Sequence, residues 1–291
     1  MPNPPEVTAI VVSFNAPDEL RRCLRSLLAT TGLRLRVIVV DNASTTSNQQ
    51  LVTSQFPRVE LIANATNRGF AAAVNQGLIR SVGDVVLVNP DVGVEPSTLA
   101  TMHTRLQAHQ RVGIVGPRLY YPDGTPQASV KRFPRWIDLA LVLSKLPNFF
   151  PRLARRYQAL DIDYTQEQTV DQVMGACFMI RHQTLTEVGT FDEGFFIWFE
   201  EVDYCWRARQ RGWSTLYTPA AKASHVRGAS FAPQPSQFKQ RLLRQSIRFY
   251  CRKHFGWLAE LGLAPALLIS AISGSLIDRF SLRKPPATQD F

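Results

Sequence analysis

The feature that most constrains the fold is the alternation of strand-like and helix-like segments over residues 1–92. Val7–Ser13 is a continuous apolar run rich in β-branched residues, which is typical of a strand buried on both faces. Leucines recur at helical spacing in Asp18–Thr30, and a second strand-like run follows at Arg36–Val40. The alternation continues as strand, helix and strand at Val59–Ile62, Phe70–Arg80 and Val85–Val88. This order predicts an α/β fold, with a Rossmann-like, mostly parallel sheet and helices on both of its faces.

Polar side chains follow the predicted strands at the points where those strands end. They occupy residues 13–15, 41–44, 64–69 and 89–91. In open parallel sheets, ligands bind beyond the carboxyl ends of the strands, where these segments would meet. The sequence therefore predicts a ligand site at this edge of the sheet.

The second half of the chain is less regular. It predicts two further strands at Val173–Ile180 and Trp213–Tyr217, separated by a helix at Phe199–Arg211. The segment Arg132–Tyr164 is rich in basic, aromatic and proline residues, and a long helical pattern begins at Gln237.

The charge of the chain narrows the class of partner. It carries 33 Lys and Arg against 23 Asp and Glu, a net charge of +10, which favours nucleic acid, nucleotide phosphates or an anionic membrane. No helix-turn-helix, zinc or RNA-binding signature is present, so nucleic acid is not the expected partner. The 4 cysteines form no CxxC pair and the N-terminus lacks a secretory signal, which favours reduced core thiols in a cytoplasmic protein.

Six short motifs follow one another along the chain. They are VVSFN at Val11–Asn15, VVDNAS at Val39–Ser44, NRGFAAAVNQG at Asn67–Gly77, VLVNPDV at Val86–Val92, FDEGFFIWFEEVDYCWRARQRGW at Phe191–Trp213, and HVRGAS at His225–Ser230. In this order and spacing they resemble the family 2 glycosyltransferases of the GT-A fold, and within these the rhamnosyltransferase-like branch. The resemblance implies a GT-A type fold and an inverting, metal-dependent transfer of a sugar from a nucleotide donor.

The resemblance also implies which residues line the nucleotide-sugar pocket. Asp41 is expected to bind the nucleoside, although an Asp at this position can equally close a turn after its strand. Gly69 would let the backbone approach the ligand closely, and Asn75 is expected to brace this loop. The full set implied for the nucleotide-sugar is Ser13, Asn15, Asp41, Asn42, Asn67, Gly69, Asn89 and Asp91.

The NPD motif at Asn89–Asp91 corresponds to the Asp-x-Asp of the family, with Asn89 in place of the first acid. Hard divalent cations prefer oxygen ligands and can neutralise a diphosphate leaving group. Asp91, together with His225 from the HxxGxS-like motif, is therefore implied to hold Mn²⁺ or Mg²⁺. A plain type I turn is the alternative for NPD.

Glu200, Glu201 and Asp203 follow the aromatic run Phe195–Phe199, where loss of hydration would raise the pKa of a carboxyl group. In the family motif Glu-Asp-x-Asp the second acid is the base, which implies Glu201, with Glu200 as the alternative. Acids that only stabilise the start of a helix are the structural alternative. Gly175, Ala176 and Asp203 are implied to contact the acceptor, although Gly175 and Ala176 could instead be small residues packed under a helix.

The C-terminal region suggests a membrane surface. Arg241, Arg244, Arg248 and Arg252 share one face of the predicted helix, which is typical of a helix lying on an anionic membrane, or of one packed on the domain with its arginines in water. Leu261–Ile277 contains no charged residue but is short for a span, so we expect residues 257–279 to lie in the membrane plane or re-enter it. The insert Arg132–Tyr157 would add a second interfacial contact.

These observations divide the chain into a glycosyltransferase domain over residues 1–235 and a basic amphipathic and apolar helical region over 236–291. Within the domain, residues 1–92 would form the nucleotide-binding half and 93–235 the acceptor-binding half. The expected donor is dTDP-rhamnose and the expected acceptor is lipid-linked or a polysaccharide of the cell envelope. The protein would then be peripheral on the inner face of the plasma membrane.

Other functions fit less well. A nicotinamide dehydrogenase needs a glycine fingerprint after its first strand, and Phe14–Leu20 contains no glycine. Sugar nucleotidylyltransferases need a glycine- and arginine-rich loop there. A catalytically silent scaffold that binds nucleotide-sugars or lipids stays open, because Asn89 and Glu201 depart from the family pattern. The sequence does not indicate an oligomeric state.

Overall fold

The computed structural model describes residues 5–226 and 236–281 of the 291-residue chain. The strands are β1 Glu6–Ser13, β2 Arg34–Asp41, β3 Glu60–Ala63, β4 Asp84–Val88, β5 Val92–Val94, β6 Val112–Tyr120, β7 Pro126–Gln127, β8 Val130–Lys131, β9 Gln168–Val170, β10 Gln172–Val173, β11 Cys177–Ile180 and β12 Ser214–His225. The helices are α1 Pro17–Leu28, α2 Asn48–Gln55, α3 Phe70–Ile79, α4 Thr98–Ala108, α5 Trp136–Ser144, α6 His182–Val188, α7 Glu200–Gln210, α8 Ser236–Phe255, α9 Trp257–Gly262 and α10 Ala264–Ser281.

The chain divides into two compact units. The first contains residues 1–133 and 158–232, and the second contains residues 134–157 and 233–291. The insert that the sequence analysis placed within the acceptor-binding half thus lies, from residue 134 to 157, in the same unit as the C-terminal helices.

The first unit is built on one large mixed sheet. Its strand order in the described chain is β3-β2-β1-β4-β11-β6-β12-β5, with β7 beside β6 and β9 beside β12. The pairs β1–β2, β1–β4 and β2–β3 are parallel, as the strand–helix alternation predicted, whereas β11 is antiparallel to both of its neighbours. A separate pair of short strands is formed by β8 and β10.

Helices cover both faces of this sheet, which confirms the predicted α/β architecture. On one face, α1 and α4 bury Leu24 and Met102 in a single apolar cluster with Val7 and Val11 of β1. On the other face, α3 approaches β1 so closely that an added Cβ at Gly77 would lie 2.7 Å from Cγ2 of Ile10. Both faces of the central strands are therefore dry, as their continuous apolar runs require.

Three details of the first unit differ from the sequence interpretation. The predicted strand Val173–Ile180 is interrupted at residues 174–176. These residues connect β10, which pairs with β8 in the separate two-stranded sheet, to β11 of the large sheet. Helix α2 was not predicted, because few of its residues are apolar. The last strand continues past Tyr217 as far as His225.

The second unit is held by ion pairs as well as apolar packing. Asp138 at the start of α5 is buried and bonds Arg135 and Arg156, at 3.1 Å and 3.0 Å. Glu260 of α9 is likewise buried and pairs with two arginines of α8, Arg248 and Arg252. Each of these buried acids thus joins two arginines of the second unit.

These ion pairs change the interpretation of the basic face of α8. Two of its four arginines pair with Glu260, and Arg244 donates to the Ser270 carbonyl of α10. The face predicted to lie on a membrane thus makes contacts within its own unit. Among the described residues, no helix combines the length and the hydropathy that crossing a bilayer would require.

The close approach of α3 to β1 gives a test of the packing. Gly77→Ala places a methyl group 2.7 Å from Cγ2 and 3.0 Å from Cδ1 of Ile10, so the side chain of Ile10 must shift. We expect the free energy of unfolding, measured by urea denaturation, to fall by about 1–3 kcal/mol. In an Ile10→Ala background, which lacks all three atoms that the methyl group would approach, the loss caused by Gly77→Ala should be smaller. Helix propensity alone would favour alanine by about 1 kcal/mol, so a stabilised Gly77→Ala variant would contradict this packing.

Candidate active site

The first part of the site lies where β1 and β2 end. Ser13 and Asp41 are register partners on these parallel strands, and both are completely buried. Asn48 Nδ2 donates to Ser13 Oγ at 2.8 Å, and Gln49 Nε2 donates to Asp41 Oδ2 at 2.8 Å. The Ser44 hydroxyl donates to the other carboxylate oxygen of Asp41, so Asp41 also closes the turn after β2. Asn48 and Gln49 were missed because they belong to the unpredicted helix α2.

Asn15 extends this network toward the surface. Its backbone lies in the left-handed region, with φ of 51°, a conformation that Asn tolerates better than most residues. Its Oδ1 accepts hydrogen bonds from the backbone N and the hydroxyl of Thr45, at 2.8 Å and 3.2 Å. The loops after β1 and β2 are therefore tied together, and they form one wall at the carboxyl edge of the sheet.

Asn42 fixes the loop that follows β3. Its buried side chain donates to Asn67 Oδ1 at 2.9 Å and to the Gly69 carbonyl at 3.1 Å. Its own Oδ1 accepts from Asn64 Nδ2 and from the backbone N of Arg68, at 3.1 Å and 3.0 Å. Four of the residues implied for the nucleotide pocket, Asp41, Asn42, Asn67 and Gly69, thus lie at one edge.

Gly69 joins this loop to the aromatic segment before α7. It has φ of 85°, and an added Cβ would lie 2.7 Å from the carbonyl oxygen of Phe196. The next residue, Phe70, donates its backbone N–H to that same oxygen at 2.6 Å. Only glycine combines this backbone conformation with this approach.

Asn75 has a different role from the one expected. It does not brace the loop at residues 67–69; it bonds the backbone of Phe191 in both directions, at 2.9 Å and 3.0 Å, and donates to Glu193 at 2.9 Å. The prediction placed Asn75 correctly on the helix but named the wrong loop. Helix α3 therefore anchors the segment that carries the acidic motif.

The NPD motif forms a turn that presents Asp91. The backbone N–H of Val92 donates to the Asn89 carbonyl at 3.1 Å, so the turn that was the alternative for this motif is present. His225, on β12, pairs in register with Val92. Its Nε2 lies 3.5 Å from Asp91 Oδ1, and only 5% of each side chain is exposed. The structure thus brings together the two residues implied to hold the cation.

The donor set at this point fits a divalent cation. His225 Nδ1 lies 2.7 Å from Gln127 Oε1, and an N–H donated to that oxygen leaves Nε2 with a lone pair directed at Asp91. A carboxylate and a lone pair facing each other are stabilised by a shared cation. Among the described residues no group of three or more His, Cys, Asp and Glu side chains could hold a metal ion. Gln127 was not foreseen, because nothing in its local sequence marks it.

The acidic motif begins α7 in a strained backbone. Trp198 and Phe199 both have positive φ, 66° and 73°, which is uncommon for aromatic residues and costs of order 1–3 kcal/mol each. The turn they make directs Glu200 and Glu201 inward, and Oε2 of each carboxyl is buried without a hydrogen-bond partner in the described chain. Glu201 as a whole is partly exposed, whereas Glu200 is only 6% exposed.

The two carboxyl groups differ in their electrostatics. Burial, with the charge of Glu201 added to it, raises the pKa of Glu200 well above its usual range. Burial also raises the pKa of Glu201, but hydrogen bonds from backbone amides and the positive charge of Lys131 oppose the rise. Burial thus disfavours the charged form of both carboxyl groups, and the positive charge of Lys131 opposes this effect at Glu201. Lys131 was not singled out by the sequence analysis.

Gly175 and Ala176 connect the acid pair to the NPD turn. An added Cβ at Gly175 would lie 3.4 Å from Cβ of Glu201, so the glycine lies directly against that side chain. The carbonyl of the next residue, Ala176, accepts the backbone N–H of Asn89 at 2.9 Å. The break in the predicted strand at residues 174–176 is thus the segment that connects Glu201 to the NPD turn.

Asp203 lies apart from this surface. It is completely buried and accepts from Arg207 Nε at 2.7 Å, and Arg207 also donates to the carbonyls of Val188 and Thr190. This ion pair fixes α7 to the loop after α6. The remaining motif residues Arg227, Gly228 and Ser230 lie outside the described residues.

Comparison with known proteins identifies the family of the chain. The sequence model of glycosyl transferase family 2 matches residues 8–189, which include the strand ends and the NPD turn. This chain belongs to that family. This family 2 glycosyltransferase is 28% identical over 264 residues to an N-acetylglucosaminyl-diphospho-decaprenol L-rhamnosyltransferase of Mycobacterium tuberculosis. The similarity agrees with the rhamnosyltransferase-like branch that its motifs resemble. That alignment covers 85% of each chain.

Two further relatives are more distant. A low-salt glycan biosynthesis hexosyltransferase of Haloferax volcanii is 22% identical over 210 residues, covering 70% of this chain and 62% of that protein. Among solved structures, a mannosyltransferase of Pyrobaculum calidifontis in complex with GDP-Man and Mn²⁺ superposes with a TM-score of 0.58 at 19% identity. It covers 99% of this chain and 79% of its own, and the likeness confirms the GT-A type fold.

The charge beside Glu201 gives a test by pH. A base must be ionised to act, so if Glu201 is the base that the resemblance implies, activity is lost as pH falls through the pKa of Glu201. Lys131→Gln removes a cation that favours the carboxylate, so this pKa rises and the acidic limb of kcat/KM moves to higher pH. Nucleotide release from the donor, followed against pH, measures the limb.

Lys131→Arg keeps the charge and is the matched control, with a limb close to that of the unmodified protein. A Lys131→Gln profile that superimposes on the unmodified one would show that Lys131 does not act on the base.

Proposed function

We propose that this family 2 glycosyltransferase is inverting and metal-dependent, and that Glu201 is its general base. Glu201 takes the proton of the acceptor hydroxyl as that oxygen attacks the anomeric carbon. The bond from the anomeric carbon to the nucleoside diphosphate breaks on the opposite face, so the configuration inverts. The observation that carries this proposal is the unequal acid pair at the start of α7, in which Glu201 lies beside Gly175 and Lys131.

The donor is proposed to bind along the carboxyl edge of the sheet. Asp41 and Asn42 would face the nucleoside, with Ser13, Asn15, Asn67 and Gly69 shaping the surrounding loops. Residues 1–92 thus supply the nucleotide-binding half, and residues 93–235 the acceptor-binding half, where Gly175 and Ala176 leave room beside the base. The region 236–291 is proposed as a separate helical part.

Asp91 and His225 would hold the divalent cation, with Asn89 nearby. When bound, Mn²⁺ or Mg²⁺ neutralises the charge that develops on the departing diphosphate. Such ions are commonly held by one or two protein ligands, the remaining positions being filled by substrate phosphates and water. The neighbour solved with GDP-Man and Mn²⁺ supports a divalent cation at this fold's donor site.

The sugar and the acceptor are proposed from the relatives. The mycobacterial protein is an L-rhamnosyltransferase whose name gives a lipid-diphosphate-linked N-acetylglucosamine, and the haloarchaeal one serves glycan biosynthesis. We therefore assign L-rhamnose from dTDP-rhamnose as the sugar and a lipid-linked glycan of the cell envelope as the acceptor. Such an acceptor would place the protein on the inner face of the plasma membrane.

The roles of the two acids can be separated by isosteric variants. Glu201→Gln cannot accept a proton, so we expect transfer to fall by about 10²–10⁴-fold while dTDP-rhamnose binding persists. Glu200→Gln mimics the protonated acid and is expected to stay within a few-fold of the unmodified protein. Sugar transfer to a lipid-linked acceptor and donor binding by calorimetry measure the two effects.

The reverse pattern, with Glu200→Gln inactive and Glu201→Gln active, would assign the base to Glu200. Binding of the donor without any metal-dependent turnover, in the unmodified protein and with acceptor present, would instead support the silent scaffold.

A further inference from the structure

The second unit carries an outward-facing row of large apolar side chains on α9 and α10. They are Trp257, Leu258, Leu261, Leu268, Ile269 and Ile272, and each is between 48% and 67% exposed. We call this row the apolar stripe. The intervening residues Glu260, Leu263, Ala266 and Ser270 are buried, so the two helices have distinct inner and outer faces. Rows of this size are unusual on a surface that contacts only water.

The charge of the same unit is strongly positive. Residues 134–157 and 236–281 contain twelve Lys and Arg against three Asp and Glu, a net charge of +9 out of +10 for the whole chain. Asp138 and Glu260 are each paired with two arginines inside the unit. Exposed cations such as Arg152, Arg155 and Arg241 are thus poorly offset by nearby acids.

A second apolar patch belongs to the same unit. Phe149 and Phe150 are 79% and 61% exposed, and Leu153 is 46% exposed between Arg152 and Arg155. Aromatic and aliphatic side chains interleaved with exposed arginines are typical of segments that lie in the headgroup region of a bilayer.

We propose that the apolar stripe inserts into the outer part of an anionic lipid bilayer and holds the enzyme beside its acceptor. This inference rests on the proposed function, because a lipid-linked acceptor is presented at such a surface. Because the stripe lies on the outer faces of α9 and α10 while their inner faces are buried, we expect both helices to lie in the membrane plane. The stripe falls within residues 257–279, which the sequence analysis expected at the membrane, whereas three arginines of α8 also make contacts with Glu260 and Ser270.

Charge decides between a bilayer and a second copy of the chain as the occupant. Two copies meeting at their stripes would bring together two such segments, each of which carries +9 over residues 134–157 and 236–281. An anionic bilayer instead attracts the same cations, by about 1 kcal/mol for each Lys or Arg near the surface. The stripe would then be covered by acyl chains, and the flanking cations would lie at the level of the phosphates.

The test is flotation of the full chain with phosphatidylglycerol–phosphatidylcholine vesicles. Leu258→Gln with Leu261→Gln keeps helix propensity and removes apolar surface, and we expect vesicle binding to fall by about tenfold or more. Ile79→Gln with Leu160→Gln changes two equally exposed apolar residues of the first unit and should leave binding unchanged. Pure phosphatidylcholine vesicles, and high salt, should weaken binding of the unmodified protein.

Two further readouts complete the test. Quenching of Trp257 by brominated lipid, taken as the difference between the unmodified protein and Trp257→Phe, should be strong. Unchanged vesicle binding by the stripe variant would overturn the inference, as would a loss of self-association in its place. Hydrolysis of dTDP-rhamnose in solution should be equal in all variants, so a failure of the proposed function would be seen separately.

Discussion

Two adjacent carboxyl groups enter the interior of the first unit at the start of α7, and the rest of the site is arranged around that costly burial. Burial raises the pKa of both groups, so it disfavours a second negative charge on the pair. Burial and mutual repulsion favour a proton on Glu200, while Lys131 and backbone amides favour charge on Glu201. A carboxylate with a raised pKa and room beside it is the property a general base requires.

The burial is held in place by contacts that come from distant parts of the chain. The two left-handed residues before α7 are fixed because the preceding segment is pinned on α3, through Asn75 to Phe191 and through Phe70 to Phe196. Gly69 permits that pinning, since any side chain would collide with the Phe196 carbonyl. Gly69 also accepts a hydrogen bond from Asn42 at the end of the loop after β3. The loops at the carboxyl edge of the sheet and the segment before α7 are therefore connected through this one glycine.

Much of this arrangement could be read from the sequence, and the remainder could not for identifiable reasons. Apolar runs fixed β1, β2 and β4, and parallel strands necessarily bring Ser13, Asp41 and Asn89 to one edge. Asp91 and His225 lie 134 positions apart, and only the motif resemblance joined them before the structure placed them 3.5 Å apart. Lys131 and Gln127 are positioned by the pairing of two-residue strands, β8 with β10 and β7 with β6. Strands this short leave no periodic pattern in the sequence.

The C-terminal region shows the opposite outcome. Helical spacing correctly predicted that four arginines share a face of α8, but it could not show that Glu260 lies against two of them. The pairing depends on how α9 folds back on α8, which is a tertiary contact. Periodicity alone therefore identifies a shared face but not its partners, and the exposed side chains of α9 and α10 add a surface that spacing on α8 does not reveal.

The most direct measurement of this account is a crystal structure with dTDP and Mn²⁺, with anomalous data collected at the manganese edge. The expected result is an anomalous peak between the Asp91 carboxylate and His225 Nε2, in contact with the diphosphate at the carboxyl edge of β4. Glu201, the proposed base, should face the open side of that diphosphate. A bound dTDP with the manganese peak elsewhere, or with neither residue in contact with it, would contradict the account.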